Sequence, residues 1–330
     1  MRFEFRMGIE MGTDDNAESL EFTGERFTPE CVREIRYEHL HRYAFARELV
    51  RGRAVLDAAC GEGYGAALLA ATAATVVGVD VSTETVAHAR ERYPAPNLSF
   101  QAADCLHLPH ADAAFDCVVS FETLEHLADH DGLLREFRRV LKPHGWLLVS
   151  SPDKAVYSEQ QQNRNEYHVR ELYRPELEAL LRRHFPAYRL WGQRLLFHSA
   201  IWQLPHTEEA ATAGSGTPAF LQQSGGAIES RPEPGHDPVY FLALCAAHAA
   251  DLPQPPAALS LFDDADESVY AHYYHEIRKN MAAGALLADR DRELARLRAE
   301  LEAATGGTAG SDASRADRRS WWRRLLGIDS

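Results

Sequence analysis

Residues 54–69 read AVLDAACGEGYGAALL, and the apolar run that follows, TVVGVD, ends on Asp80. The first part, AVLDAAC (54–60), is a short run of apolar residues with the length of a buried strand. GYGAALLAATA then has the small-residue and leucine content of a helix. Gly61 and Gly63 fall between the two. Glycines at such a junction let the backbone approach a ligand closely, and the first turn of a helix offers N–H groups to an anion. An acid that ends the second strand is placed to accept hydrogen bonds from a ribose diol.

Working outward, the same alternation continues. STETVAHARERY reads as a helix, LSFQAAD (98–104) as a third strand and FDCVVSF (115–121) as a fourth. In DGLLREFRRVLKPHG, Leu133, Leu134, Phe137, Val140 and Leu141 share one helical face, and the Pro-x-Gly turn stops the helix. WLLVSSP (146–152) is a fifth strand. Strands alternating with helices predict a parallel sheet covered on both faces. Pro175 opens another helix, at a position where proline is tolerated. After it, RLWGQRLLFH and PVYFLALCAAH (238–248) read as two strands with no helix between them, and such a pair should be antiparallel. The Gly-, Ser- and Pro-rich stretch that joins them reads as an excursion from the fold. The expected core is therefore an α/β domain over 51–250 with about seven strands and an antiparallel hairpin at its end.

Two kinds of cofactor suit the glycine-rich junction. Gly61-x-Gly63-x-x-Ala66 matches the dinucleotide fingerprint in its loose form. Charge separates the two. Asp57 ends the first strand and Glu62 lies within the loop, so a pyrophosphate would face two carboxylates in a partly desolvated cleft, at a cost of about several kcal/mol. S-adenosylmethionine (SAM) has no phosphate; it carries a sulfonium, an ammonium and one carboxylate. Asp57 favours its cationic end. On these residues the chain resembles the class I SAM-dependent methyltransferases, from about residue 50 to 195. Asp57 to Gly63 resembles the glycine-rich first motif, with Ala59 where that family often has a glycine. The resemblance implies that Asp80 binds the ribose, with Val81 following it, and that Asp104-Cys105 holds the adenine amino group. Phe121, in VVSFETLEHL, joins the expected cofactor contacts. That segment and RVLKPHGWLLVSSPDK resemble the branch that includes ubiquinone-type methyltransferases. The fold implied is a Rossmann-like, seven-stranded, mostly parallel sheet.

Methyl transfer from a sulfonium is an in-line displacement that mainly needs alignment, and a hydroxyl acceptor also profits from a positioned base. The loop after the fourth strand reads Phe121-Glu122-Thr123-Leu124-Glu125-His126. If it forms one helical turn, Glu122 and His126 share a face, and the carboxylate raises the basicity of the histidine. The alternative is that Glu125-His126 caps a helix and only supports the cofactor. SSPDKAVYSEQQQNRNEYHVRELY (150–173) is long, polar and aromatic, and Tyr157, Asn165, Tyr167 and His168 in it suit a many-hydroxyl acceptor. With GERFTPE (24–30), this stretch resembles SAM methyltransferases of bacterial surface-polysaccharide synthesis. The expected activity is O-methylation of a glycan or glycan-lipid precursor. The alternatives are a small-molecule methyltransferase and a SAM-binding scaffold that recruits a glycan-assembly complex.

Composition narrows the partners. Acids outnumber bases 49 to 35, a net charge of -14, which argues against a general nucleic-acid binder. The longest apolar run, Ala66 to Val79, is too short to span a bilayer, and the N-terminus lacks a signal-peptide core, so the cytoplasm is expected. The five cysteines form no CxxC pair, and no metal site is expected. Residues 1–50, with Arg26, Tyr37, His41 and Tyr43, are expected to form a helical lid over the cofactor or, as the alternative, a strap that packs on the domain. DLPQPPAAL begins a linker over 251–266. A helix over 267–304 carries Leu287, Leu294 and Leu301 seven apart, with Leu297 between; the seam is shorter than three to four heptads, and it reads either as a short coiled coil that joins a homodimer or as a solvated single helix. Residues 305–330 are a flexible small-residue spacer followed, from Ser314, by a basic-aromatic tail in which arginines flank Trp321 and Trp322; its composition suits weak contact with an anionic membrane or a protein.

Overall fold

The structure is a computed structural model. It describes residues 34–162, 165–196, 199–204, 220–224, 227–231, 234–255, 259–262, 264 and 268–306. Arg26, Cys31 and the basic-aromatic tail lie outside these residues. The chain divides into two compact units, one ending at Val269 and the other starting at Tyr270.

The first unit opens with α1 (Glu34–Leu49). Strands and helices then alternate as β1 (Ala54–Ala58), α2 (Tyr64–Ala70), β2 (Thr75–Asp80), α3 (Thr83–Arg92) and β3 (Leu98–Ala102). β4 (Phe115–Ser120), α4 (His130–Val140), β5 (Leu141–Pro152) and α5 (Arg174–His184) complete the alternating part. The strands β6 (Ala187–Leu195), β7 (Ser199–Leu204), β8 (Phe220–Ser224), β9 (Ala227–Arg231), β10 (Tyr240–Ala246) and β11 (Leu259–Phe262) follow. The main sheet runs β11-β7-β6-β10-β5-β4-β1-β2-β3. β1 is parallel to β2 and β4, β2 to β3, and β4 to β5. β10 enters between β5 and β6, antiparallel to both. That is the α/β fold expected, with its antiparallel element at the end. Because β1 and β4 are central, the chain leaves them at one end of the sheet, where the 59–63 and 121–127 loops meet.

The core has two faces because successive side chains of a strand point to opposite sides. Leu56 and Val118 join a cluster with Leu133, Leu134, Phe137 and Leu181 from α4 and α5. Val55, Cys117 and Val119 go to the other face, against Tyr43, Phe45 and Leu69 from α1 and α2. Strands buried on both faces explain why these segments read as unbroken apolar runs. Two helix starts follow their caps. The Ser82 side chain accepts from Thr85 N ahead of α3, and Asp129 accepts from Gly132 N at 2.7 Å ahead of α4.

Two expectations are corrected. Another strand, β7, follows the first of the two late strands directly, and the excursion after it contains the β8–β9 hairpin. FLQQS and AIESR flank Gly225-Gly226, a pair that favours a tight hairpin turn, and the surrounding Gly, Ser and Pro content hid it. The domain does not close near residue 250: the segment expected as a linker over 251–266 supplies β11, which pairs with β7 at the sheet edge. The strand LSLF is four residues long and follows a proline run, too short to show a period. Of the two readings of residues 1–50, the helix agrees with a packing element: Tyr37, Tyr43, Phe45 and Ala46 are buried on it.

In the second unit, α6 (Ser268–Gly306) is one helix that begins two residues before the unit boundary. Leu287, Leu294, Leu297 and Leu301 are exposed on it. No helix among the described residues is long and apolar enough to cross a membrane.

Candidate active site

The loop from β1 to α2 bends through three left-handed residues, Ala59 at φ 58°, Gly61 at φ 53° and Gly63 at φ 94°. A Cβ on Gly63 would also lie 2.8 Å from Ala89 and Phe100, so glycine is required there on two counts. Ala59 carries a Cβ in a conformation that costs an L-residue roughly 1–2 kcal/mol. The loop is held from β2. Gly61 N donates to Asp80 Oδ2 at 3.0 Å, Ser82 N to Asp80 Oδ1 at 2.9 Å, and Cys60 N to the Val79 carbonyl at 2.8 Å. Asp80 thus shapes the loop as well as ending its strand. Val81, next to it, is 78% exposed.

Asp57 has no exposed surface. Tyr43 Oη donates to its carboxylate at 3.2 Å. Burial pushes the Asp57 carboxyl up to about 8, against the lowering effect of the Tyr43 hydrogen bond, and Asp80 adds to the rise. A buried acid that resists ionisation becomes a strong site for a cation once one arrives. Tyr43 reaches Asp57 only because residue 65 is glycine: a Cβ there would stand 2.0 Å from the tyrosine ring. Tyr43 also packs edge-on against Phe121, with ring centroids 5.0 Å apart. Sequence reasoning placed Tyr43 in the lid and missed its contact with Asp57; the signal lay in Gly65, one glycine more than the turn itself needs.

Glu62 does not face the cleft as the charge argument assumed. It is buried against α3, paired with Arg92 at 3.2 Å and contacted by Tyr93 Oη at 3.0 Å and His88 at 3.3 Å. The case against a pyrophosphate therefore rests on Asp57, buried beneath the loop, since an acid in the place of Asp80 serves the ribose of either cofactor. Asp104 accepts from Leu106 N at 2.8 Å beyond β3 and its side chain is half exposed. Cys105 is buried and in contact with the Ala59 backbone; burial first, then nearby carboxylates, push its thiol up to about 12.

The loop after β4 is not the helical turn expected. Glu122 has a left-handed φ of 51°, and a single 3-10 turn, Leu124–His126, follows it. Glu122 accepts from Arg42 Nη1 at 2.8 Å and from Ser150 Oγ at 2.6 Å, so its carboxylate is held by α1 and β5 rather than by His126. Arg42 is fully buried, and its Nε and Nη2 meet no hydrogen-bond partner. His126 Nδ1 lies 3.1 Å from the Tyr167 carbonyl. His168 Nδ1 lies 2.5 Å from Glu171 Oε1, and its ring stacks on Tyr157 at 5.3 Å and meets the His126 ring edge-on at 5.1 Å. Glu125, 1% exposed, turns its side chain to the same place, and both of its oxygens lack a partner. Burial, and then the charge of Glu122, hold the Glu125 carboxyl well above the usual carboxylate range. The 150–173 loop is tied here by its backbone, with Val169 N and Arg170 N donating to the Glu125 carbonyl at 2.8 and 3.0 Å. The structure thus brings His126 and His168 together and assigns Glu122 to a different network. Glu125, which sequence reasoning treated as a cap, is the third member of the cluster.

An α/β sheet in this order, with a buried acid beneath a glycine-rich loop and a second acid ending the next strand, defines a class I SAM-dependent methyltransferase domain. Residues 56–149 match the family described as a methyltransferase domain. A probable SAM-dependent methyltransferase of Mycolicibacterium smegmatis is 42% identical over 176 residues, which cover 52% of this chain and 68% of that protein. A counterpart in Mycobacterium tuberculosis is 41% identical over 165 residues, 49% of this chain and 60% of the relative. A fatty-acid O-methyltransferase of M. smegmatis is 32% identical over 146 residues, 42% of this chain and 53% of that protein. The chain belongs to the SAM-dependent methyltransferase family, and SAM is its cofactor. It spans about two thirds or less of the length of these relatives.

Proposed function

We propose that this protein transfers the methyl group of SAM to an oxygen of a polar, hydroxyl-bearing acceptor, a glycan or glycan-lipid precursor. In this reading Asp57 faces the cationic end of the cofactor and Asp80 takes the ribose hydroxyls. Val81 covers the adenine ring on one side, and Asp104 with Cys105 takes the adenine amino edge. Phe121 and Tyr43 close the far wall. The observation that carries the acceptor site is the clustering of Glu125, His126 and His168 at the loop after β4, walled by Tyr157 and the polar 150–173 segment. The acceptor oxygen sits at this cluster, which handles its hydroxyl proton. The carbon–oxygen bond forms as the carbon–sulfur bond breaks, and the sulfonium leaves as the neutral thioether S-adenosylhomocysteine. Glu122 acts as a positioning residue: tied to Arg42 and Ser150, it fixes the loop that carries His126.

A second reading has its own support. Arg42 is a buried cation with two donors unused, and one relative is a fatty-acid O-methyltransferase. The carboxylate of a fatty-acid acceptor would satisfy those donors. Incubating the protein and labelled SAM with surface-glycan extract, and separately with long-chain fatty acids, decides between them. Label in the glycan fraction supports the first reading, and label only in methyl esters supports the second. No turnover of SAM with either extract counts against both.

A further inference from the structure

Glu125, His126 and His168 each offer a ligand atom, and these atoms lie within 4.8 Å of one another. That spacing alone is common on acidic surfaces. Here the carboxylate is buried and both of its oxygens lack a hydrogen-bond partner. Protonating Glu125 would not satisfy it, because a neutral carboxyl still presents one O–H donor and one acceptor. Such an orphan is costly to bury unless something occupies the space in front of it.

The histidines supply a second, independent observation. Nδ1 of His168 lies against the Glu171 carboxylate at 2.5 Å, and Nδ1 of His126 lies 3.1 Å from the Tyr167 carbonyl. Both partners are acceptors, so the neutral tautomer they favour has its proton on Nδ1 and leaves the Nε2 lone pair to a metal ion. Metal-binding histidines are held in this way, with the far nitrogen donating to a carboxylate or a backbone carbonyl. Glu171 is itself fixed by Ser158 Oγ at 2.5 Å. Cysteine spacing, on which the expectation of no metal rested, does not register a site built from imidazole and carboxylate.

We propose that Glu125, His126 and His168 bind one divalent transition-metal ion. Two nitrogens and one carboxylate suit a first-row ion such as Zn²⁺ better than Mg²⁺ or Ca²⁺, which take mostly oxygen ligands. Two histidines and a glutamate leave a tetrahedral ion one open position. The inference rests on the functional reading above for what fills that position: the acceptor oxygen. Coordination there lowers the hydroxyl pKa, as it does for metal-bound water, and the released proton passes to solvent.

The test is calorimetric titration of Zn²⁺ into chelator-stripped full-length protein, with SAM titrated separately into the same sample. The expected result is one tight Zn²⁺ site per chain. His168→Ala and Glu125→Gln should each weaken it by about 100-fold or more, and Glu171→Gln by about 10–100-fold. Zn²⁺ binding that survives unchanged in the His126→Ala/His168→Ala double variant, or no tight site in the wild type, overturns the inference. SAM binding that persists in that case leaves the methyltransferase reading standing, and Zn²⁺ binding without SAM binding rejects that reading and keeps the ion. Glu125 is buried and its variant can lose the fold, so Co²⁺ added to the wild type gives a second readout. A histidine-ligated visible spectrum supports the site, and the spectrum of free aqueous Co²⁺ contradicts it.

Discussion

The two ends of the proposed reaction, the SAM loop and the acceptor cluster, are built differently. Around Gly61 and Asp80 the polar groups are paired within the protein: both Asp80 oxygens accept backbone N–H bonds, and Glu62 is neutralised against α3. Near His126 two side chains keep atoms that are not. Arg42 keeps two unused donors and Glu125 two unused acceptors, all buried. A region that satisfies itself can hold its shape before the ligand arrives, whereas orphaned buried groups mark where a ligand has to complete the structure. Mutations in the acceptor cluster should therefore change rate and leave SAM affinity alone, and mutations in the loop should do the reverse.

The sharpest contrast is expected at His126. His126→Ala should cut turnover by about 10²–10⁴-fold while calorimetry shows SAM affinity nearly unchanged. Parallel loss of both would erase the distinction between the two regions and support the view that this turn only braces the cofactor. In the loop, Gly65→Val should drive Tyr43 from Asp57, with an overpacking cost of about 1–3 kcal/mol in chemical denaturation and weakened SAM binding. A variant of wild-type stability would mean that the tyrosine has another place to go. Asp80→Ala removes a charged acceptor and should weaken SAM by about 1.5–3 kcal/mol. Unchanged affinity would reject its assignment to the ribose. The smallest effect should come from Ala59→Gly. Relieving a left-handed alanine, offset by the greater freedom of glycine in the unfolded chain, should raise stability by about 0.5–1 kcal/mol in thermal melts.

The legible part of the sequence was the part governed by local rules. β1 to β5 were readable because buried parallel strands are continuous apolar runs, and the glycine-rich junction because only glycine or a strained residue can make it. The antiparallel entry of β10 followed from the missing crossover helix. β11 was not legible, since its four residues are stabilised by the neighbouring β7 rather than by any pattern of their own. The site divided in the same way. Asp57 and Asp80 stand at fixed places relative to strand ends. The partners of Glu122 are Arg42, 80 residues away in sequence, and Ser150, 28 away, and no spacing rule connects them; Glu171 is only three residues from His168, but the segment has no helical or strand pattern that would announce the pair. The assumed helical turn at 122–126 failed because Glu122 is left-handed, a conformation that non-glycine residues seldom announce.

Asp57 is where the central claim, a cofactor whose cationic end sits on a buried acid, is most exposed to a measurement. Its carboxyl is raised to about 8 in the unliganded protein, so the folded state holds a proton that the unfolded chain has released above the ordinary aspartate range. Its contribution to stability is therefore complete below that range and is lost as pH rises through about 8. Cation binding reverses the preference and expels the proton. SAM titrated at pH 7 in buffers of different ionisation enthalpy should release close to one proton per site, and affinity should rise with pH and level off above about 8. Asp57→Asn should abolish the proton release and weaken binding. SAM binding without proton release in the wild type, or with equal affinity in Asp57→Asn, would contradict the account.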